Sequence, residues 1–290
     1  MSAIIIDGKE VSAKIREEVK AQAAILRERS IVPCLAVVLV GEDPASLSYV
    51  SAKEKALAEA GMESRDIRLA EQTSEAELLA LVETLNKDDA VHGILVQLPV
   101  PKHIDENKII AAIDPAKDVD GFAPVSVGNL LLGRQGFIPC TPHGVLVLLR
   151  EIGIPLAGAH AVVVGRSNIV GKPLANLLCR KEVNATVTIC HTGTKDIASF
   201  TQAADIVIAA AGKPALIKPD MVKPGAAVID VGVNRVPDAS AKKGYRLVGD
   251  VDPAVAEKAA FFTPVPGGVG PMTIAMLLQN VVLAAQRINK

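Results

Sequence analysis

The chain has 290 residues, too long for a single small module and sufficient for two domains. Half of the residues are hydrophobic yet only 2% are aromatic and none is Trp, so the cores are aliphatic and alanine-rich, which favours α/β layers over a β-sandwich. Thirty-one basic residues against 32 acidic ones give no electrostatic case for a nucleic-acid or anionic-membrane partner, which leaves small molecules.

Cys34, Cys140, Cys179 and Cys190 form no C-x-x-C pair, and the His residues show no H-x-x-x-H spacing, so no metal site is expected. Scattered cysteines in a chain of this size read as reduced core residues and point to a cytoplasmic protein. The opening MSAIIIDGKE is too short for a secretory core, and no apolar run is read as a membrane span.

In chain order, Ile4 to Ile6 reads as a short edge strand and Val11 to Arg29 as a helix with a charged outer face. Pro33 to Gly41 is a buried strand. Asp43 before Pro44 starts a helix over Ala45 to Ala60, which Gly61 ends. Ser64 to Ala70 is a strand, and Ser74-x-x-Glu77 makes a capping box for a helix reaching Asn86. Val91 to Leu98 is the next buried strand, cut off by Pro99 and Pro101. After Asp114-Pro115 comes KDVDGF, with Asp120-Gly121 as a turn, and then a loop-rich stretch to Gly136 with Gly128 and Gly133. A linker helix runs from His143 to Gly153, behind Thr141-Pro142.

Ala161 to Leu178 then reads as a buried strand, a glycine-bounded turn and a helix start. Such a junction presents backbone N–H groups to a phosphate. The spacing is Gly165-x5-Gly171, so the G-x-G-x-x-G fingerprint is absent. Strands at Thr186 to Cys190, Ala204 to Ala211 and Ala226 to Val231 continue the alternation, which predicts a Rossmann-like doubly wound parallel sheet. The fold class is therefore α/β with two domains: residues 1–139, joined by a returning C-terminal helix 271–290, and residues 140–270.

Tyr49 and Lys53 stand i, i+4, and with Ala52, Ala56 and Ala60 they form one helical stripe flanked by Val50 and Leu57, which puts Lys53 on the buried side. Two readings remain: a lysine whose stem covers apolar surface while its ammonium stays in water, or a functional lysine in a cleft. Gln97 stands near the carboxyl end of a predicted parallel strand, where open α/β sheets place ligands. Asp118 and Asp120 read as metal ligands, turn formers, or one binding carboxylate beside one structural one. Arg166 follows Gly165 at the mouth of the phosphate turn. The loop from Pro264 to Thr273 alternates proline rigidity with glycine freedom, which suits close approach of backbone to a ligand. Gly267→Val is accordingly expected to damage ligand use while sparing the fold.

YVSAKEKAL, VQLPVP, KDVDGF, GRSNIVGKP, VIDVGVNR and PVPGGVGPMT, in that order, resemble the bifunctional methylenetetrahydrofolate dehydrogenase/methenyltetrahydrofolate cyclohydrolase family. The resemblance implies NADP-dependent oxidation of a methylene-folate and hydrolysis of the methenyl product in one cleft of a homodimeric enzyme. It makes Lys53 the catalytic lysine, with Tyr49 stacked on the folate, Gln97 beside the lysine between Val96 and Leu98, and Asp120 on the pterin. It assigns Gly165, Arg166, Ser167 and Thr192 to the cofactor phosphates and Val233 to the nicotinamide side. Pro266, Gly267, Gly268, Val269 and Gly270 would complete the folate pocket.

A short-chain dehydrogenase also uses Tyr-x-x-x-Lys, but there the pair follows the glycine-rich turn, whereas Tyr49 and Lys53 precede Gly165. A non-catalytic nucleotide-sensing module would leave Lys53, Gln97 and Asp120 idle. Formation of the methenyl compound separates these readings.

Overall fold

A computed structural model describes residues 3–241 and 244–288. In chain order the elements are β1 (Ile4–Ile5), α1 (Gly8–Glu28), β2 (Cys34–Val40), α2 (Pro44–Glu59), β3 (Glu63–Leu69), α3 (Glu75–Lys87), β4 (Gly93–Val96), α4 (Glu106–Ala112), α5 (Pro124–Leu131) and α6 (Cys140–Glu151). There follow β5 (His160–Val164), α7 (Gly171–Leu178), β6 (Thr186–Cys190), α8 (Ile197–Thr201), β7 (Ile206–Ala209), β8 (Ala227–Asp230), β9 (Asn234–Pro237), β10 (Tyr245–Val248), β11 (Phe261–Phe262) and α9 (Val269–Ile288). The chain divides into two compact units. One takes the N-terminal residues through Ser12 with Pro139–Thr273, the other Ala13–Ile138 with the residues from Ile274.

The unit built on Ala13–Ile138 has a parallel sheet in the order β3-β2-β4. β2 is buried along its whole length because helices cover both faces of a central parallel strand, and its sequence CLAVVLV offers no polar face. β3 is the edge, and ESRDIRL protects it with alternating charge. Asp43 accepts the Ser46 N–H at 2.8 Å to start α2, and Ser74 with Glu77 forms the capping box of α3. α4 lies in a segment to which the sequence assigned no element, and α5, after it, occupies part of the stretch read as loop. They span 7 and 8 residues, too short to display a helical period, and Gly128 interrupts the second.

α9 returns to this unit. Its Asn280 Nδ2 donates to the carbonyls of Val119 at 2.8 Å and Ile138 at 3.1 Å. The helix begins at Val269 rather than at Pro271, since proline is tolerated anywhere in a first turn whose N–H groups lack helical partners. By length and composition α9 could cross a membrane, with a mean hydropathy of 1.4, contrary to the expectation that no run is so apolar. Its apolarity follows from burial: Ala275, Leu278, Val281, Val282, Ala284 and Ala285 have no exposed surface.

The other unit carries a six-stranded, all-parallel sheet in the order β1-β11-β8-β7-β5-β6. Its core packs Val162, Val164, Val207, Val228 and Phe262 with Ile217 and Val255. Residues 1–139 are expected in one domain, but residues 3–12 belong here, because Ile4 and Ile5 pair with Phe261 and Phe262 and extend this sheet by one edge strand. A two-residue strand carries no periodicity to reveal its partner, and β11 escapes sequence reading for the same reason. The antiparallel hairpin of β9 and β10 was likewise unforeseen, with four residues per strand and a proline in the first.

Candidate functional site

Lys53 and Tyr49 both lie on α2, but the helix buries Val50, Ala56 and Leu57, with Ala60 buried just past its end. Ala52 is exposed, Tyr49 is 46% exposed and Lys53 is half-buried, so Lys53 stands at the rim of the apolar face rather than within it. Its amine is directed by a partner. Nζ donates to Gln97 Oε1 at 3.0 Å, while Gln97 Nε2 donates to the Leu98 carbonyl at 2.8 Å, so the second bond fixes which end of the amide faces the lysine. Gln97 is itself held by the sheet. Its N–H donates to Val38 O at 2.8 Å, continuing the β2–β4 ladder one residue beyond Val96, at the carboxyl end of the strand.

The motif KDVDGF divides its labour. Asp118 is buried and accepts the N–H groups of Phe122 at 3.2 Å and Ala123 at 2.9 Å, which makes it the turn former. Lys117 turns away, donating to the carbonyls of Leu85 and Asp88. Val119 packs over Gly93, where an added Cβ would come within 2.7 Å of the valine methyl. Asp120 is the carboxylate near Lys53: burial pushes its carboxyl above the ordinary range, and the Lys53 charge opposes that rise. Lys53, Gln97 and Asp120 are thus brought together, and Asp118 resolves as structural.

Burial pushes the Asp118 carboxyl up from 3.8 to about 6, with the hydrogen bonds from Ser126 and the backbone holding it back. The folded state therefore keeps a proton that the unfolded chain releases, so this group's stabilising effect is fully present below about pH 4 and is lost as pH rises through about 6. Urea unfolding of wild type and Asp118→Asn across pH 4–7 should show the difference between them shifting by on the order of 1–3 kcal/mol, with wild type relatively more stable at the acidic end. A difference independent of pH would contradict the assignment.

In the six-stranded sheet, strand order reverses at β5, and a cavity of about 530 Å³ opens beyond the carboxyl ends of β5, β6 and β7. Of the residues that the resemblance assigns to the cofactor, Gly165, Arg166, Ser167 and Thr192 line this cavity and Val233 does not. Val233 lies beyond β8, 45% exposed. His191, Thr194 and Lys213 also line the cavity and were missed. Their signal was positional, since each follows the carboxyl end of a parallel strand, but no motif marks them.

Backbone approach explains the two glycines. Gly165 has φ 137°, and a Cβ there would overlap the Ala210 carbonyl; a Cβ at Gly171 would overlap the Gly165 carbonyl. Ser167 Oγ accepts the N–H groups of Val170 at 3.1 Å and Gly171 at 3.3 Å at the head of α7, which leaves its hydrogen to donate outward. Arg166 and Lys213 add two cations, and Thr192 and Thr194 add hydroxyls. The volume and this donor set suit a phosphorylated dinucleotide.

The loop before α9 belongs to this same unit. An added Cβ at Gly268 would lie 2.6 Å from the Pro264 carbonyl and 2.8 Å from Thr263 Cβ, and one at Gly8 would overlap the Gly268 carbonyl. Gly267 has φ 110°, so valine there strains the backbone and the glycines serve the fold as well as any ligand. Gly268→Ala should destabilise by about 1–3 kcal/mol, read as a lower urea midpoint. An unchanged midpoint would show that the loop yields freely. Among the described residues, no three His, Cys, Asp or Glu side chains are grouped to hold a metal ion.

Comparison with known proteins matches residues 6–120 to the tetrahydrofolate dehydrogenase/cyclohydrolase catalytic domain and residues 139–289 to the NAD(P)-binding domain of the same name. The bifunctional protein FolD of Campylobacter concisus is 59% identical over 283 residues, covering 97% of each chain. The crystal structure of the bifunctional FolD enzyme methylenetetrahydrofolate dehydrogenase/cyclohydrolase from Campylobacter jejuni is 51% identical with a TM-score of 0.94, covering 99% of both chains. That of the Trypanosoma brucei enzyme, complexed with NADP and an inhibitor, is 42% identical with a TM-score of 0.95, covering 99% of this chain and 98% of its own.

Proposed function

The chain belongs to the tetrahydrofolate dehydrogenase/cyclohydrolase family, and from that membership we propose that it oxidises 5,10-methylenetetrahydrofolate to 5,10-methenyltetrahydrofolate with NADP and hydrolyses the product to 10-formyltetrahydrofolate. The observation that carries the reading is the Lys53 amine held on Gln97 beside Asp120, at the carboxyl end of a parallel sheet.

Gly165, Arg166, Ser167 and Thr192, with Lys213, would hold NADP, which when bound supplies the hydride acceptor. The protein's part in that step is geometry, because the folate nitrogens share the charge that hydride loss leaves on the bridging carbon. Hydrolysis needs a proton moved. With the cationic methenyl compound bound, Lys53 first gives its own proton to solvent, and the free amine then takes one from the water that adds to the methenyl carbon, giving a neutral tetrahedral adduct. The adduct's hydroxyl proton is lost as N5 gains one and the C–N5 bond breaks, and the proton on Lys53 passes to solvent. Gln97 Oε1 aims the amine, and Asp120 receives hydrogen bonds from the pterin ring. Tyr49 stacks on the folate.

A homodimer in the cytoplasm accompanies this reading; all four cysteines are free thiols, as a reducing compartment requires, and light scattering tests the dimer. The activity is tested by absorbance, following methenyltetrahydrofolate as it forms from methylenetetrahydrofolate and NADP and then decays. Binding of NADP without turnover would favour a sensing module.

A further inference from the structure

Asp250 has no exposed surface and lies in a segment that the roles above leave unused. Its Oδ2 accepts the N–H groups of Ala211 at 2.6 Å and Gly212 at 2.8 Å, and its Oδ1 accepts Asn234 Nδ2 at 2.8 Å. Ala211 lines the nucleotide cavity, and the turn that Ala211 and Gly212 form after β7 delivers Lys213 to it. Behind Asp250 stands a second buried carboxylate. Asp230 accepts the N–H groups of Asp250 at 2.9 Å, Gly232 at 3.0 Å and Val251 at 3.0 Å. Two glycines make the approach possible, since a Cβ at Gly232 would overlap the Asp250 carboxylate and one at Gly249 the Asp230 carboxylate. Buried carboxylates persist only where donors satisfy them, and for Asp250 two of the donors are the backbone N–H groups of Ala211, which lines the cavity, and of Gly212 beside it.

We propose that Asp250 is a positioning residue for NADP: its carboxylate fixes the turn at Ala211 and Gly212, and through it Lys213, in the conformation that receives the dinucleotide. The inference rests on the NADP reading above. Removing the carboxylate leaves two N–H groups at the cavity wall without an acceptor, and the turn rearranges to find one.

The geometry offers a reciprocal test. In Asn234→Asp two carboxylates oppose each other. In the double variant Asn234→Asp with Asp250→Asn, the new amide oxygen again accepts both turn N–H groups and its nitrogen donates to the new carboxylate. Calorimetry should show NADP dissociation constants raised about tenfold or more in Asp250→Ala and in Asn234→Asp, with the double variant back within about threefold of wild type. Circular dichroism establishes that each variant is folded. Should Asp250→Ala fail to fold, the comparison of Asn234→Asp with the double variant decides. Unchanged affinity in the folded single variants, or no recovery in the double, overturns the proposal. A wild-type protein that binds no NADP overturns the functional reading on which it rests.

Discussion

Replacing Lys53 with Met should slow hydrolysis of methenyltetrahydrofolate by roughly 10²–10⁴-fold, the usual worth of general acid–base catalysis. Methionine keeps the length and apolar stem that lie on the rim of α2 and removes only the amine that Gln97 holds at 3.0 Å. The dehydrogenase step, which transfers no proton to the protein, should suffer less, with its residual loss arising from poorer placement of the folate. Each step is read separately, one from methylenetetrahydrofolate with NADP and the other from the methenyl compound. The same substitution removes the cation that opposes the upward push of burial on Asp120, so that carboxyl should rise further. Folate binding by Lys53→Met should then weaken as pH falls, because a protonated Asp120 can no longer accept all of the pterin's hydrogen bonds. Wild-type hydrolysis of the methenyl compound by this variant would remove Lys53 from the general-base role.

Much of this is legible in the sequence, and the reasons differ by element. β2 and β5 announce themselves because a parallel strand covered on both faces needs an apolar run, and CLAVVLV and the AVVV of β5 supply one. Capping pairs such as Ser74 with Glu77 are local chemistry, so they read correctly from four residues. The pairing of β1 with β11 does not, since two residues at each end of a long chain declare neither period nor partner. The same limit governs the site. Lys53 and Gln97 were legible as a helix position and a strand end, but the rim placement of Lys53 depends on which side of α2 meets the sheet. Spacing alone does not separate Asp118 from Asp120; the family resemblance assigns Asp120 to the pterin, and the fold shows that it is Asp118 that turns inward to the Phe122 and Ala123 N–H groups. His191, Thr194 and Lys213 were invisible because their role follows from strand order, which composition does not encode.

Arg166→Ala should raise the Michaelis constant for NADP by roughly 10–150-fold, the equivalent of the 1.5–3 kcal/mol that a hydrogen bond to a charged group contributes, and should change that for NAD far less. Arg166 lines the cavity immediately after Gly165, and its guanidinium is exposed, where a planar fork can grip the ribose phosphate that distinguishes the two cofactors. Thr192 adds a hydroxyl nearby, and Lys213 adds a charge without the fork, so neither reproduces the bidentate geometry. Arg166→Lys should therefore recover only part of the affinity for NADP. Exposure makes the interaction sensitive to salt, and the preference of the wild type for NADP should narrow as ionic strength rises, whereas that of Arg166→Ala should respond less. Steady-state kinetics with both cofactors at two salt concentrations reads all of these at once. If Arg166→Ala impairs NADP and NAD equally, the arginine acts on the part the cofactors share, and the ribose phosphate must be recognised by other groups in the cavity.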